Sequence, residues 1–174
     1  MDKSQRNISN AKLLLEDAMP NQNYDLMKQL LTPEATINRA GFADLYDLTT
    51  DSIPQQGNFI TWLKLGWKPL SSALTEQIAQ TTDVVASADT VIMKYHMTAL
   101  HSGTFAGAPP TNKRVHWDEI AVLHFNDEGK CTDGWFMCQE LSLASQTGYK
   151  LTLQANEVEN ISLKKCCPFS EQHF

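Results

Sequence analysis

The chain has 174 residues, 42% of them hydrophobic and 20% charged, with a formal net charge of −6. That is the size and balance of one globular domain with room for a core and a small-molecule pocket. Its lysines and arginines form no cluster, which argues against nucleic acid and anionic membrane as partners, and no apolar run approaches the roughly 18 residues of a membrane helix.

The polar start leading into an amphipathic pattern is not a signal-peptide core, so the cytoplasm is the expected compartment and the sequons at Asn7 and Asn160 are expected to be unused. Ser9 or Asn10 is a candidate cap for a first helix carrying Leu13, Leu14 and Ala18, broken at Pro20. Tyr24 to Leu31 predicts a short second helix ended by Pro33, and Ala35 to Ala40 predicts a strand. Residues 41 to 57 mix turn formers with isolated apolar residues and are expected to form a loop or lid. Asn58 to Leu70 places Phe59, Ile60, Leu63 and Trp67 on one helical stripe, limited by Pro69.

After Asp83 the apolar period changes from about 3.6 to 2. Strands are predicted over Asp83 to Ala86, Val91 to Leu100, Arg114 to Phe125 and Cys131 to Gln139, with a short helical turn over Leu141 to Thr147. Asn126 to Lys130 is a hairpin turn with Gly129 where a positive φ is needed. From Leu151 the pattern weakens into a polar tail, giving a domain over 1–150 and a tail over 151–174. Helices first and long strands second is the α+β order, with helices packed on one face of a curled antiparallel sheet.

Alternation divides the strands into faces. Val91, Met93, Tyr95, Met97 and Ala99 make an inner wall, which leaves His96 outside. The strand Arg114 to Phe125 carries His116, Asp118, Ile120, Val122 and His124 on one face, and Val115, Trp117, Glu119, Ala121, Leu123 and Phe125 on the other. Bulk favours the second face as core. The first face has the acid and histidines that proton transfer uses, and equally reads as a solvated sheet surface.

Cys131 and Cys138 are expected on opposite faces, and adjacent Cys166 and Cys167 do not bond each other, so all four cysteines read as free thiols. His173 alone beside the tail pair is too little for zinc. No dinucleotide, phosphate-loop, zinc-protease or serine-elbow motif is present, so a catalyst built from this chain would work by acid–base chemistry or positioning.

The run from Thr98 to Val115, T-A-L-H-S-G-T-F-A-G-A-P-P-T-N-K-R-V, resembles the T-G-T-H-x-G-x-F-x-G-x-P-P-T-G-K-x-V signature of SnoaL-like polyketide cyclases. Asp127 to Lys130, Trp135, Gln139 and Gln146 to Gly148 are similar to that family's closing pattern. The similarity runs over about residues 10 to 149. It implies the nuclear transport factor 2-like cone, cofactor-independent ring closure by a carboxylate near the end of the last strand, and homodimers formed through the outer sheet face. In this fold Tyr24, Trp67, Tyr95, Met97, Trp117 and Trp135 would line the ligand pocket.

The family aspartate four residues after the tryptophan is Gln139 here, and an amide cannot take a proton from carbon. Glu140 is adjacent, but alternation directs it to the other face. If chemistry is retained, the base moves to His124 oriented by Asp118, with Gln139 holding the enolate oxygen. Two readings follow: a cofactor-free, metal-free cyclase, isomerase or dehydratase acting on a small hydrophobic carbonyl-containing ligand, or a non-catalytic pocket protein that binds such a ligand.

Overall fold

The computed structural model describes residues 2–49, 52–150 and 152. The tail expected from residue 151, with Cys166 and Cys167, lies outside the described residues apart from Thr152. In chain order the elements are α1 (Lys3–Lys12), running on as a π-helical turn (Leu13–Ala18), α2 (Tyr24–Leu30), β1 (Leu31–Asn38) and α3 (Ala40–Tyr46). Then come β2 (Gln56–Asn58), α4 (Phe59–Trp62), a second π-helical turn (Leu63–Trp67) and α5 (Lys68–Ala73). The second half holds β3 (Leu74–Ser87), β4 (Thr90–His101), β5 (Arg114–Phe125), β6 (Cys131–Cys138) and α6 (Glu140–Thr147).

The six strands form one curved sheet in the order β2-β1-β6-β5-β4-β3. Only β1 and β6 run parallel; β3 to β6 form a continuous antiparallel meander. The N-terminal helices fill the concave side, where Leu14, Met27, Phe59, Trp62, Leu63 and Trp67 are buried. This is the α+β architecture expected from the sequence.

The first helix starts at Lys3, ahead of the expected caps Ser9 and Asn10. Asp2 Oδ1 accepts from Gln5 N at 2.8 Å and caps it. Asn10 instead donates to Gly129 O at 2.8 Å, and buried Asn7 donates to Ala88 O at 3.3 Å, so both asparagines tie α1 to hairpin turns. Gly129 has φ +81 as the turn requires, and Asn126 Oδ1 accepts from the amides of Glu128 and Lys130.

Three expectations change with tertiary context. Residues 41–57 contain a helix, α3, because Phe42 and Tyr46 pack edge-on against Phe105 at 6.2 and 5.7 Å between ring centres. Pro69 does not end the helix from Phe59; it follows the π-helical turn, where the regular ladder is already interrupted. The strand expected from Asp83 begins at Leu74, since β3 is an edge strand whose mostly polar residues hide its period while it pairs along the length of β4.

On β4, Val91, Met93, Tyr95, Met97 and Ala99 are all buried, as alternation predicts. On β5 the inner face is Val115, Trp117, Glu119, Ala121, Leu123 and Phe125. On β6 the cysteines are not on opposite faces. Register slips between His124↔Asp133 and Phe125↔Cys131, a bulge that inserts one residue. Cys131 is therefore fully buried, and Cys138 sits opposite inward-facing Glu119.

Candidate functional site

Three neighbouring strands bring one row of chemistry-bearing residues inside the sheet. Tyr95 on β4 lies opposite Glu119 on β5, and Glu119 lies opposite Cys138 on β6. Arg39, at the junction of β1 and α3, enters the same space from the helical side, anchored by its backbone N donating to Gln55 O at 2.8 Å. Arg39 is 1% and Glu119 2% exposed.

Glu119 accepts three short hydrogen bonds. Arg39 Nη2 and Trp117 Nε1 donate to Oε1, and the Tyr95 hydroxyl donates to Oε2, each at 2.6 Å. Burial disfavours the Arg39 charge, but the Glu119 carboxylate outweighs it and holds the guanidinium above its ordinary range. Burial, reinforced by Glu119, pushes the Tyr95 phenol well above its usual range, so Tyr95 is a permanent donor. Burial first and Glu119 second likewise raise the Cys138 thiol, which stays protonated.

The guanidinium is boxed by aromatic rings: Phe42 at 4.6 Å from its carbon, Trp67 at 5.3 Å, Phe136 at 5.4 Å and Trp62 at 6.0 Å. Among the described residues its Nε and Nη1 are buried with no hydrogen-bond acceptor. Native interiors rarely leave such donors unmet, so this edge of Arg39 is a site for an acceptor oxygen. Because Arg39 and Glu119 cancel in charge, a neutral acceptor such as a carbonyl suits it better than a further anion.

A cleft of about 1320 Å³ lies between α3 and the start of α6, bordered by Gly41, Leu45, Leu48, Gln139, Glu140 and Tyr149. Glu140 Oε1 accepts from Cys138 N at 3.2 Å, and its carboxylate lies over Gly41, where any Cβ would collide with it. A second cleft, of about 620 Å³, lies between the 106–111 loop and Thr147 to Tyr149. The Tyr149 hydroxyl donates to Ala106 O between the two clefts. Among the described residues no group of three His, Cys, Asp or Glu side chains is arranged to hold a metal ion.

The residues expected from sequence divide between the two sides of the sheet. Tyr95, Met97, Trp117 and Trp67 are buried inside, Trp67 donating through Nε1 to Met19 O at 3.0 Å. Tyr24 is half-buried, its hydroxyl 3.5 Å from Leu63 O. Trp135 is 40% exposed on the outer face, with Met137 and Ile120, and does not reach the interior.

The expected His124–Asp118 pair does not form. Both stand on the outer face, but His124 pairs with Asp133 at 3.4 Å, while Asp118 meets His96 Nδ1 at 2.7 Å and Lys94 Nζ at 3.5 Å. The hydrogen bond from His96 holds the Asp118 carboxyl below its usual range, with Lys94 adding to the effect. Six residues along a strand separate their Cα atoms by about 20 Å, too far for one to orient the other.

Gln139 has a structural task. Its backbone N donates to Asp118 O at 3.0 Å and its side-chain Oε1 accepts from Asp118 N at 3.2 Å, so it prolongs the ladder where β6 has ended. Gln146 does the same for His116, accepting at 3.0 Å and donating at 2.7 Å. Sequence reasoning passed over Arg39 and Glu119. A lone carboxylate on the apolar face of β5 was the available signal, since a buried acid demands a partner.

The family model described as SnoaL-like polyketide cyclase matches residues 67–147. A SnoaL-like polyketide cyclase candidate from Jannaschia sp. CCS1 superposes with a TM-score of 0.67 at 14% identity, covering 83% of this chain and 96% of its own. IdmH, a polyketide cyclase candidate from Streptomyces antibioticus, gives 0.67 at 21% identity over 83% and 99%. AclR, a hydroxylase candidate from Streptomyces galilaeus, gives 0.64 at 20% identity over 84% and 85%. No curated protein sequence matches the chain. The chain thus has the nuclear transport factor 2-like fold, and its residues 67–147 are similar to the SnoaL-like polyketide cyclase family. At these identities the solved structures establish the fold and leave the reaction to the residues of the site.

Proposed function

We propose that this SnoaL-like chain is a cofactor-independent protein of the cyclase and isomerase type, acting on a small, largely apolar carbonyl compound. The observation that carries the reading is the buried Arg39 guanidinium, tied to Glu119 at 2.6 Å and boxed by aromatic rings, with Nε and Nη1 unmet. A carbonyl oxygen accepting from that edge gains stabilisation as it becomes an enolate, because the donors are fixed in advance in a water-poor site. Tyr95, Trp117 and Glu119 keep the guanidinium in place, and the apolar wall of Met97, Trp67 and Phe136 suits a hydrophobic ligand skeleton.

The outer sheet face supports a homodimer in the same reading. Ile92, Ile120, Trp135 and Met137 stand exposed together there, an apolar surface suited to burial against a second copy.

A binding role without turnover is favoured by one feature, the engagement of Gln139 in the β5 ladder at the position of the family's carboxylate. Deuterium uptake at the carbon acid positions of 2-tetralone, followed by NMR alongside quenching of tryptophan fluorescence, separates the two. The protein is expected to bind the ketone and accelerate its exchange, and Arg39→Lys, which keeps the charge and loses the Nε/Nη1 edge, to slow exchange by about tenfold or more. Binding with exchange no faster than in buffer would leave the binding role; no binding would remove both.

A further inference from the structure

The loop that joins β4 to β5 forms one wall of the cleft of about 620 Å³, facing Thr147 to Tyr149. Its first arm is fixed by backbone bonds: the amides of Ser102 and Gly103 donate to Ala73 O at 3.0 and 3.1 Å. Its tip is a tight turn, with Ala106 at φ +45 and Gly107 at φ +81. Phe105 beside the turn is fully buried against the rings of Phe42, Tyr46 and His101. The second arm begins with Pro109 and Pro110, which have no amide proton to donate. Thr111 is the first residue of that arm with one, and its amide goes to a side chain. It donates to His101 Nδ1 at 3.3 Å, with the Thr111 hydroxyl 3.1 Å from the same nitrogen.

We infer that His101 is a pH-sensitive latch on this loop, holding the second arm against the cleft while the ring is neutral and releasing it in acid. Because Nδ1 accepts from an N–H, the neutral ring carries its proton on Nε2. A second proton enters at Nδ1 and faces an amide that can only donate. The Thr111 hydroxyl can turn to accept from it, but the amide is left without its acceptor. His101 is fully buried, and its Nε2 has no hydrogen-bond partner among the described residues, so a charge on the ring goes unsolvated. Burial accordingly lowers its pKa, partly offset by the Gly103 backbone.

The surrounding charges do not relieve that cost. On β4 itself, Lys94 and His96 meet Asp118 on the outer face. Glu76 on β3 and Arg114 on β5 pair with each other at 2.5 Å, each more than half exposed. Lys113 on the returning arm, Lys68 on α5, and Asp44 and Asp47 on and after α3 are exposed. Tyr46 meets Phe105 edge-on, and the Tyr149 hydroxyl donates to Ala106 O. Among the described residues no acid bonds to His101. The ring of an open loop titrates at about 6.5, and that of the closed loop lower. The latch therefore holds above about pH 6.5 and is lost as pH falls through the lower closed-loop value.

Amide hydrogen exchange by NMR between pH 7.5 and 5.0, corrected for intrinsic rates, reads the latch at Thr111, with Ala121 in the middle of β5 as the reference for opening of the whole sheet. Protection at Thr111 is expected to fall by up to about 30-fold at pH 5.0, while Ala121 keeps its protection. That ratio is set by a ring that titrates at about 6.5 in the open loop and stays neutral in the closed one. His101→Gln, whose amide oxygen can accept from Thr111 N at every pH, should make Thr111 protection independent of pH. Nitrogen shifts of the imidazole in the parent give the pH at which His101 takes its proton, without a variant. Thr111 protection unchanged through that titration overturns the latch. So does a loss at Ala121 equal to that at Thr111, the mark of global unfolding, and so does a pH dependence at Thr111 that survives in His101→Gln.

Discussion

Glu119→Gln puts the largest stake on the interior of the cone. In the parent, the carboxylate accepts from Arg39, Tyr95 and Trp117 at 2.6 Å each, and both charged side chains are about 1% exposed. The amide keeps the shape and an acceptor oxygen but removes the charge, leaving the Arg39 guanidinium uncompensated among four aromatic rings. Breaking a buried pair from one side costs about 3–5 kcal/mol. For a domain of this size that corresponds to a fall in melting temperature of roughly 6–20 °C.

The double variant Arg39→Met/Glu119→Leu removes both charges together and should recover to within about 2 kcal/mol of the parent, because buried pairs replaced by apolar groups are often neutral. Thermal melts followed by circular dichroism, with urea titrations of the two single variants and the double, give the coupling energy. A Glu119→Gln melt within 2 °C of the parent would refute the reasoning. So would a double variant whose loss equals the sum of the single losses, since independent sites add.

Two further outcomes test the frame around the site. His101 is fully buried, accepts from Thr111 N at 3.3 Å through Nδ1, and has its pKa lowered by burial, partly offset by the Gly103 backbone. Because the folded value lies below the unfolded one of about 6.5, the unfolded chain binds more protons in acid. The stabilising contribution is present above about pH 6.5 and is lost as pH falls through the lower folded value; urea midpoints at pH 7.5 and 5.5 should therefore converge in His101→Gln relative to the parent. Gln146→Ala removes the side chain that substitutes for a strand beside His116. It should cost about 1 kcal/mol in urea and speed hydrogen exchange at the His116 amide, and an unchanged exchange rate would deny Gln146 that role.

The sequence by itself determined the frame. Alternation on β4 specified its inner face, and on β5 bulk favoured the face that proved to be core, because that face is mostly apolar and a slip of one residue would turn it outward. Glycine at position 129 and asparagine at 126 marked the hairpin through backbone angles and side-chain acceptors that need no tertiary partner. The Thr98 to Val115 signature and the closing residues carried the resemblance to SnoaL-like polyketide cyclases.

The site was decided by tertiary structure. Whether Glu119 is a core residue depends on Arg39, 80 positions away, since the acid is tolerable inside only with that guanidinium beside it. The bulge near Asp133 turned Cys131 and Cys138 to the same side, and the departure of the chain from β6 at Cys138 brought Glu140 over Gly41. Both changes break the two-residue period on which face assignment rests, and no composition or spacing announces them. His124 and Asp118 had the right chemistry for a base; the sheet places them outside because the residues between them and beside them are what the core needs.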